Sequence, residues 1–366
     1  MKKILLATTA MVAVSAFALT GCASDSGRGA DAGAGTEAGF AADSLIGVAL
    51  PDKTSENWVL AGGLFEDGLK EAGFKGDVQY AGASNAVADQ QQQISTMITN
   101  GAKVIIIGAK DGAQLGTQVT EARDAGAIVI AYDRLIQNTD AVDYYVAFDN
   151  FKVGQLQGQA LLDGLAAKFP DKKTYNVELF SGSSDDANAP VFFNGAMDIL
   201  QPKIDDGTLV VVSGQTDIKQ TATDGWKPEN AQKRMDTIMQ GSYQGTTVDG
   251  VLSPNDTLAR AIITSVQDAG QADLPIVTGQ DSEAASIPLI MSGQQYSTIY
   301  KDTRELVKTA IGMATTLQKG NKPDTTAEED NGNVKVPTLY LDPVIVTKEN
   351  AAEAYANNPE LLALTK

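Results

Sequence analysis

The chain has 366 residues, 46 acidic against 28 basic, with one cysteine and no histidine. A net charge of −18 repels phosphate backbones, which argues against nucleic acid as a partner. The missing histidine removes Ser-His-Asp and Cys-His catalysis and every His-ligated metal site, and a lone cysteine supports no disulfide framework.

The N-terminus reads as a targeting segment. Lys2 and Lys3 precede an uncharged apolar stretch from Ile4 to Leu19, too short and too sharply ended to span a bilayer, so residues 1–21 are expected to be an export signal. Leu19-Thr20-Gly21-Cys22 resembles the lipobox of lipoprotein signal peptides, which makes Cys22 the expected lipidated first residue. Removing residues 1–21 takes two basic residues and no acidic ones, leaving the remainder near −20. One acylated cysteine holds a soluble domain at a membrane surface without a spanning helix. Residues 22–43, mostly Ala, Gly, Ser, Asp and Glu, cannot bury a core and are expected to form a flexible linker.

From Ser44 onward, short apolar runs alternate with amphipathic stretches of helical length. Strands are expected at Leu45–Leu50, Val78–Ala81, Val104–Gly108 and Ile128–Tyr132, and in a second series at Val177–Phe180, Leu209–Ser213, Gly250–Ser253 and Pro275–Thr278. Runs rich in Val and Ile without polar alternation suit strands covered on both faces. Gly73, Gly126 and Gly270 each follow a Glu-Ala or Asp-Ala pair where a helix needs a left-handed C-cap. Repeated strand–helix–strand units imply parallel sheets, and the two series, split near Phe148–Phe151, imply two doubly wound α/β domains. The tail adds a strand at Tyr296–Tyr300, a helix at Asp302–Lys319 and one last strand at Leu339–Val346; the pattern leaves open which sheet this unit extends.

Ligands of open α/β sheets bind beyond the carboxyl ends of the strands, so the residues there carry the functional reading. Pro51, Asp52, Lys53 and Trp58 follow the first run, Asp133 and Arg134 the fourth, and Ser181 to Asn188 the fifth. Later ends supply Trp226, Asn255, Asp256 and Asp281. Carboxylates, amides and one arginine beside the chain's only two tryptophans match a sugar ring. Carboxylate and amide groups pair its hydroxyls, and aromatic faces cover its C–H faces. Taken singly, several of these residues have plainer readings. Asp256 and Asp281 serve equally well as N-caps, Asp185 and Asp186 as a turn, Trp226 as a loop anchor, and Asp133 with Arg134 as a local ion pair. Six strand ends of the same character favour a site.

The strings Ala131-Tyr132-Asp133-Arg134-Leu135, Phe148-Asp149-Asn150, Asp224 to Ala231, Gly279-Gln280-Asp281, Tyr300 to Leu306 and Val346 to Asn350 occur in order. With them the chain resembles the type I periplasmic binding proteins for aldoses, especially the xylose-binding and multiple-sugar-binding members, across nearly all of residues 45–350. That resemblance implies a monosaccharide held between two Rossmann-like domains joined by a three-strand hinge. It implies crossings near residues 149–151, 298–301 and 339–342. The N-terminal domain is then 44–149 plus 300–340, and the C-terminal domain 150–299 plus 341–366. By position it implies ligand contacts from Lys53, Trp58, Asp133, Arg134, Asp186, Asn188, Trp226, Asn255, Asp281 and Lys301. Ser184 and Ala187 depart from the family's loop string.

The partners implied are the permease and ATPase of an ABC importer, with no cofactor, no catalysis and a monomeric chain outside the cell membrane or in the periplasm. Three alternatives remain beside this reading. A glycosidase would draw its two carboxylates from Asp185, Asp186 and Asp281. A sugar-responsive regulator would need a basic helix-turn-helix segment, which no stretch before Ser44 supplies. A sensory binder would present its sugar to a chemoreceptor or sensor kinase.

Overall fold

The computed structural model describes residues 39–366 except Thr54; the export signal and Cys22 lie outside them. The first half alternates β1 (Leu45–Leu50), α1 (Glu56–Glu71), β2 (Lys75–Tyr80), α2 (Ala86–Thr99), β3 (Val104–Ile107), α3 (Gly116–Asp124), β4 (Ile128–Tyr132) and β5 (Tyr144–Phe148). A second series follows: α4 (Asn150–Lys168), β6 (Tyr175–Leu179), α5 (Asn188–Asp205), β7 (Leu209–Val211), α6 (Ile218–Thr221), α7 (Pro228–Ser242), β8 (Gly250–Leu252), α8 (Asp256–Asp268), β9 (Ile276–Val277) and α9 (Ile287–Ser292). The tail holds β10 (Ser297–Tyr300), α10 (Thr303–Gln318), β11 (Ala327–Asp330), β12 (Lys335–Leu341), β13 (Val344–Thr347), α11 (Ala351–Ala354) and α12 (Pro359–Ala363).

Eleven of these strands form two doubly wound sheets, and β10 and β13 pair separately. One has seven strands in the order β11-β12-β5-β4-β3-β1-β2, parallel except for β11; the other has four parallel strands, β7-β6-β8-β9. In the first sheet alternate residues of one strand feed opposite layers. Ile46, Val48 and Leu50 of β1 pack with Phe65 and Leu69 of α1 and with Leu306 and Ile311 of α10. Ala49 faces the opposite layer, with Ile94 and Met97 of α2 and Val119 of α3. Strands covered this way on both faces need no polar alternation, which explains their composition. In the second sheet α7 and α8 cover one face and α4 and α5 the other. Gly73, Gly126 and Gly270 take φ of 86°, 79° and 82°, the left-handed conformation that ends the preceding helix.

Several details differ from the sequence reading. The expected strand Leu339–Val346 is two strands. β12 runs parallel to β5 in the large sheet, whereas β13 pairs antiparallel with β10 beside the small one. Asp342 and Pro343 separate them, at the point where the chain leaves one sheet for the other. β5 and the acidic edge strand β11 were not expected. Phe40, assigned by composition to the linker, is packed: its N–H donates to the Gln318 carbonyl at 3.2 Å and its ring lies 6.4 Å from that of Phe74. The chain passes between the sheets after Phe148, after Tyr300 and after Leu341, so α10 returns to the large sheet and covers it together with α1.

Candidate functional site

The carboxyl ends of both parallel sheets face one gap of about 590 Å3, counted to its solvent opening. The large sheet changes winding direction at β1 and β3, and the small one at β6 and β8, so the gap sits at both switch points. Nine of the ten residues singled out above line it: Trp58, Asp133, Arg134, Asp186, Asn188, Trp226, Asn255, Asp281 and Lys301.

Lys53 does not, which corrects that expectation. It is exposed, with its ammonium 4.4 Å from the centre of the Tyr80 ring. The first loop instead turns Asp52 inward, where Oδ2 lies 3.1 Å from Lys110 Nζ, and adjacent side chains of an irregular strand end diverge.

The backbone is bent to aim these groups. Asp133, Trp226 and Asp281 take φ of 61°, 56° and 91°, a region costly for residues with a Cβ and found mostly where surroundings over-determine it. The turn at Asp133 places its side chain directly past β4, where a regular helix start would carry it away. At Asp133 the carbonyl accepts hydrogen bonds from Tyr145 Oη at 2.9 Å and, from across the gap, from Asn188 Nδ2 at 2.8 Å.

Charges from both sides interlock. Arg134 Nε approaches Asp186 Oδ2 to 3.0 Å, and the same oxygen accepts from Trp226 Nε1 at 3.0 Å. The guanidinium also donates to the Ala109 carbonyl at 3.2 Å and lies 5.3 Å from the Trp58 ring centre. Lys301 Nζ pairs with Asp281 Oδ1 at 2.9 Å and sits 5.2 Å from the Phe192 ring centre. Burial pushes the Asp133 carboxyl up, Lys301 and Arg134 pull it down, and Asp186 and Asp281 push it up again, leaving it above the usual aspartate value. Burial alone would lower Lys301; Asp281 and Asp133 outweigh it and hold the ammonium charged. The Arg134–Asp186 approach is an ion pair by distance but not an aligned hydrogen bond, so Arg134 Nε is enclosed without one, as is Gln280 Oε1. Such enclosed donors and acceptors, each costing about 1–3 kcal/mol when unmatched, suit a ligand bearing many hydroxyls.

Plainer roles are divided differently from the sequence reading. Asn255, not Asp256, caps α8, its Oδ1 accepting from Leu258 N at 2.9 Å. Asp256 is a buried hub accepting from Gln295 Nε2, Thr298 Oγ1 and the Glu283 N–H at 2.7, 2.9 and 3.0 Å. The cleft also contains Asn57, Lys110, Phe192 and Gln280, which were not singled out. Lys110 follows β3 by three residues, the same signal that flagged Asp133, but that strand end was passed over. Phe192 lies inside a helix, where no local pattern marks it.

Comparison with known proteins agrees with this geometry. A model of the periplasmic binding protein domain matches residues 46–322. The multiple sugar-binding periplasmic receptor ChvE of Rhizobium radiobacter is 45% identical over 318 residues, 85% of this chain and 89% of the relative. The D-xylose-binding periplasmic protein of Escherichia coli is 34% identical over 310 residues, 85% and 88% of the two chains. A solved ABC transporter solute-binding protein from Clostridium phytofermentans with bound β-D-glucose superposes with a TM-score of 0.82 at 40% identity, covering 87% of this chain and 99% of that one. Two parallel sheets closing on one polar, tryptophan-lined gap and this extent of similarity have a single reading: the chain belongs to the periplasmic binding protein family.

Proposed function

We propose that the chain captures a monosaccharide, an aldose such as glucose, xylose, galactose or arabinose, and delivers it to the permease and ATPase of an ABC importer. The observation that carries this reading is that Trp58 and Trp226, one from each side, line the same gap as the ionic groups Arg134, Asp186, Asp281 and Lys301. Aromatic faces exclude water from the sugar's C–H surfaces while the charged groups pair its hydroxyls, and a misplaced hydroxyl leaves one of them unmatched. The solute-binding relatives with bound glucose support the same ligand class.

Capture proceeds by closure. One half binds first and the other adds its contacts as the hinge shuts, so the sugar shifts the population to the closed form that a permease recognises. The moving units are residues 44–149 with 300–340 against 150–299 with 341–366. The chain works outside the cytoplasm, held by a lipid on Cys22 after loss of residues 1–21. It acts as a monomer and performs no chemistry on the sugar. A second reading, presentation of the sugar to a chemoreceptor or sensor kinase, is favoured by the similarity to a periplasmic receptor and uses the same closed shape.

Thermal unfolding of residues 23–366 with a panel of aldoses tests the reading. At a hundred-fold excess over Kd, binding adds about 2.7 kcal/mol, so at least one sugar raises Tm clearly. Arg134→Ala or Asp281→Ala abolishes that shift while the protein remains folded; an undiminished shift in both variants defeats the site assignment.

A further inference from the structure

The two halves also touch outside the sugar cleft. Glu56, in the first turn of α1 beside the large sheet, accepts a hydrogen bond through Oε2 from the Ala284 backbone N–H at 2.9 Å. Ala284 lies three residues beyond Asp281 in the loop that follows β9 of the small sheet. Glu56 is not among the residues that line the sugar cleft, so this contact joins the halves without reaching the ligand.

Both ends of the contact are held in place. On one side, Asn57 Oδ1 accepts from Thr303 Oγ1, tying the start of α1 to the start of α10. On the other side, Glu283 N–H donates to Asp256, the Glu283 carboxylate pairs with Arg260 at 2.7 Å, and Ser286 N–H donates to the Glu283 carbonyl at 2.8 Å. Beside the contact the seam opens into a second gap of about 640 Å3, with Glu56, Leu60, Ala284, Tyr300 and Leu361 among its walls. Apolar packing there is incomplete, and a polar bond reaches across.

We propose that Glu56 is a closure latch, a positioning residue that sets how long the captured sugar is retained without selecting which sugar is captured. The bond exists only while the halves are together, so its loss speeds opening and leaves first encounter unchanged. An alternative role, an acidic residue favouring the positive end of α1, acts in the open and closed forms alike and would leave release unaffected. The proposal rests on the sugar-capture reading above.

Trp58 and Trp226, the chain's only tryptophans, both face the cleft and report binding by intrinsic fluorescence. Stopped-flow release is measured for D-glucose, D-xylose, D-galactose and L-arabinose. Glu56→Ala raises the dissociation rate of every sugar that binds by a common factor of about five, with association rates within about two-fold of wild type. Glu56→Gln, which keeps the acceptor, recovers most of the loss. An unchanged dissociation rate, or an effect confined to one sugar, overturns the latch alone. A wild-type chain that binds none of the four overturns the sugar reading and the latch together.

Discussion

Trp226 illustrates how much one side chain depends on its neighbours' backbone. Its ring rests against Gly182, where a Cβ would come within 2.1 Å of Cζ2 and 2.3 Å of Cη2, and its Nε1 is tied to Asp186. The ring therefore cannot swing aside without losing that hydrogen bond. Gly182→Ala is expected to displace it and weaken sugar binding by about ten-fold or more, read by titration with D-glucose, because the aromatic wall and the Asp186 contact are lost together. Retained affinity would mean that the ring is not part of the binding surface. Both tryptophans, and most of the charged residues at strand ends, could be picked out from the string of residues alone. Lys53 could not be separated from Asp52 in that way. Which of two adjacent side chains in an irregular loop turns inward depends on Lys110, a partner 58 positions from Asp52 that only the folded sheet brings near.

At the scale of elements, α4 and α5 pack closely enough that glycine is required on both. A Cβ on Gly154 would lie 2.1 Å from the Phe192 carbonyl oxygen, and one on Gly195 would lie 2.1 Å from that of Phe151. Alanine is favoured over glycine inside a helix by about 1 kcal/mol, so a free helix would gain from Gly154→Ala. Here the obstructing atoms are backbone and cannot rotate away; overpacking of this kind typically costs about 1–3 kcal/mol, and the whole helix must move to relieve it. Gly154→Ala is therefore expected to destabilise the protein, seen as a lower urea midpoint. A raised midpoint would show that the helices separate without cost. The displacement also moves Phe192 and Asn188, both on α5, so sugar affinity should fall in parallel. Helix ends and buried strands of this region were legible from periodicity and capping glycines. β5, β11 and the break between β12 and β13 were not, because pairing partner, not local composition, decides the membership of short strands.

Over the whole molecule the buried carboxylates set the response to pH. Asp256 is pushed well above the ordinary value of 3.8 by burial, then by Glu283 and Asp281; burial likewise raises Asp133, Glu178 and Glu283. A carboxyl with a raised native value binds its proton more tightly when folded. Its stabilisation is complete below the unfolded value and is lost as pH rises through the native one. Asp302 behaves oppositely. Burial raises it, but hydrogen bonds with Arg304 and Tyr300 bring it below 3.8, so its contribution is present above that value and lost as pH falls further. Four groups of the first kind sit in the core and seam, so chemical denaturation should give lower stability at about pH 8 than at about pH 5. Self-repulsion at a net charge of −18 acts in the same direction. Asp256→Asn separates the two, because it should flatten the pH dependence while changing net charge by only one unit. An unaltered slope would assign the effect to surface repulsion.

The order of residues by itself determined the two-sheet α/β architecture, the chemistry of the strand ends and the classes of catalysis that are absent. Each follows from periodicity or composition, properties that neighbouring residues carry. Tertiary structure alone decided the closed juxtaposition of Arg134 with Asp186, the burial of Asp256, the outward turn of Lys53 and the reach of Glu56 to Ala284. Those depend on distances between residues far apart in the chain, which are set only when two sheets pack and three strand crossings fix how they meet.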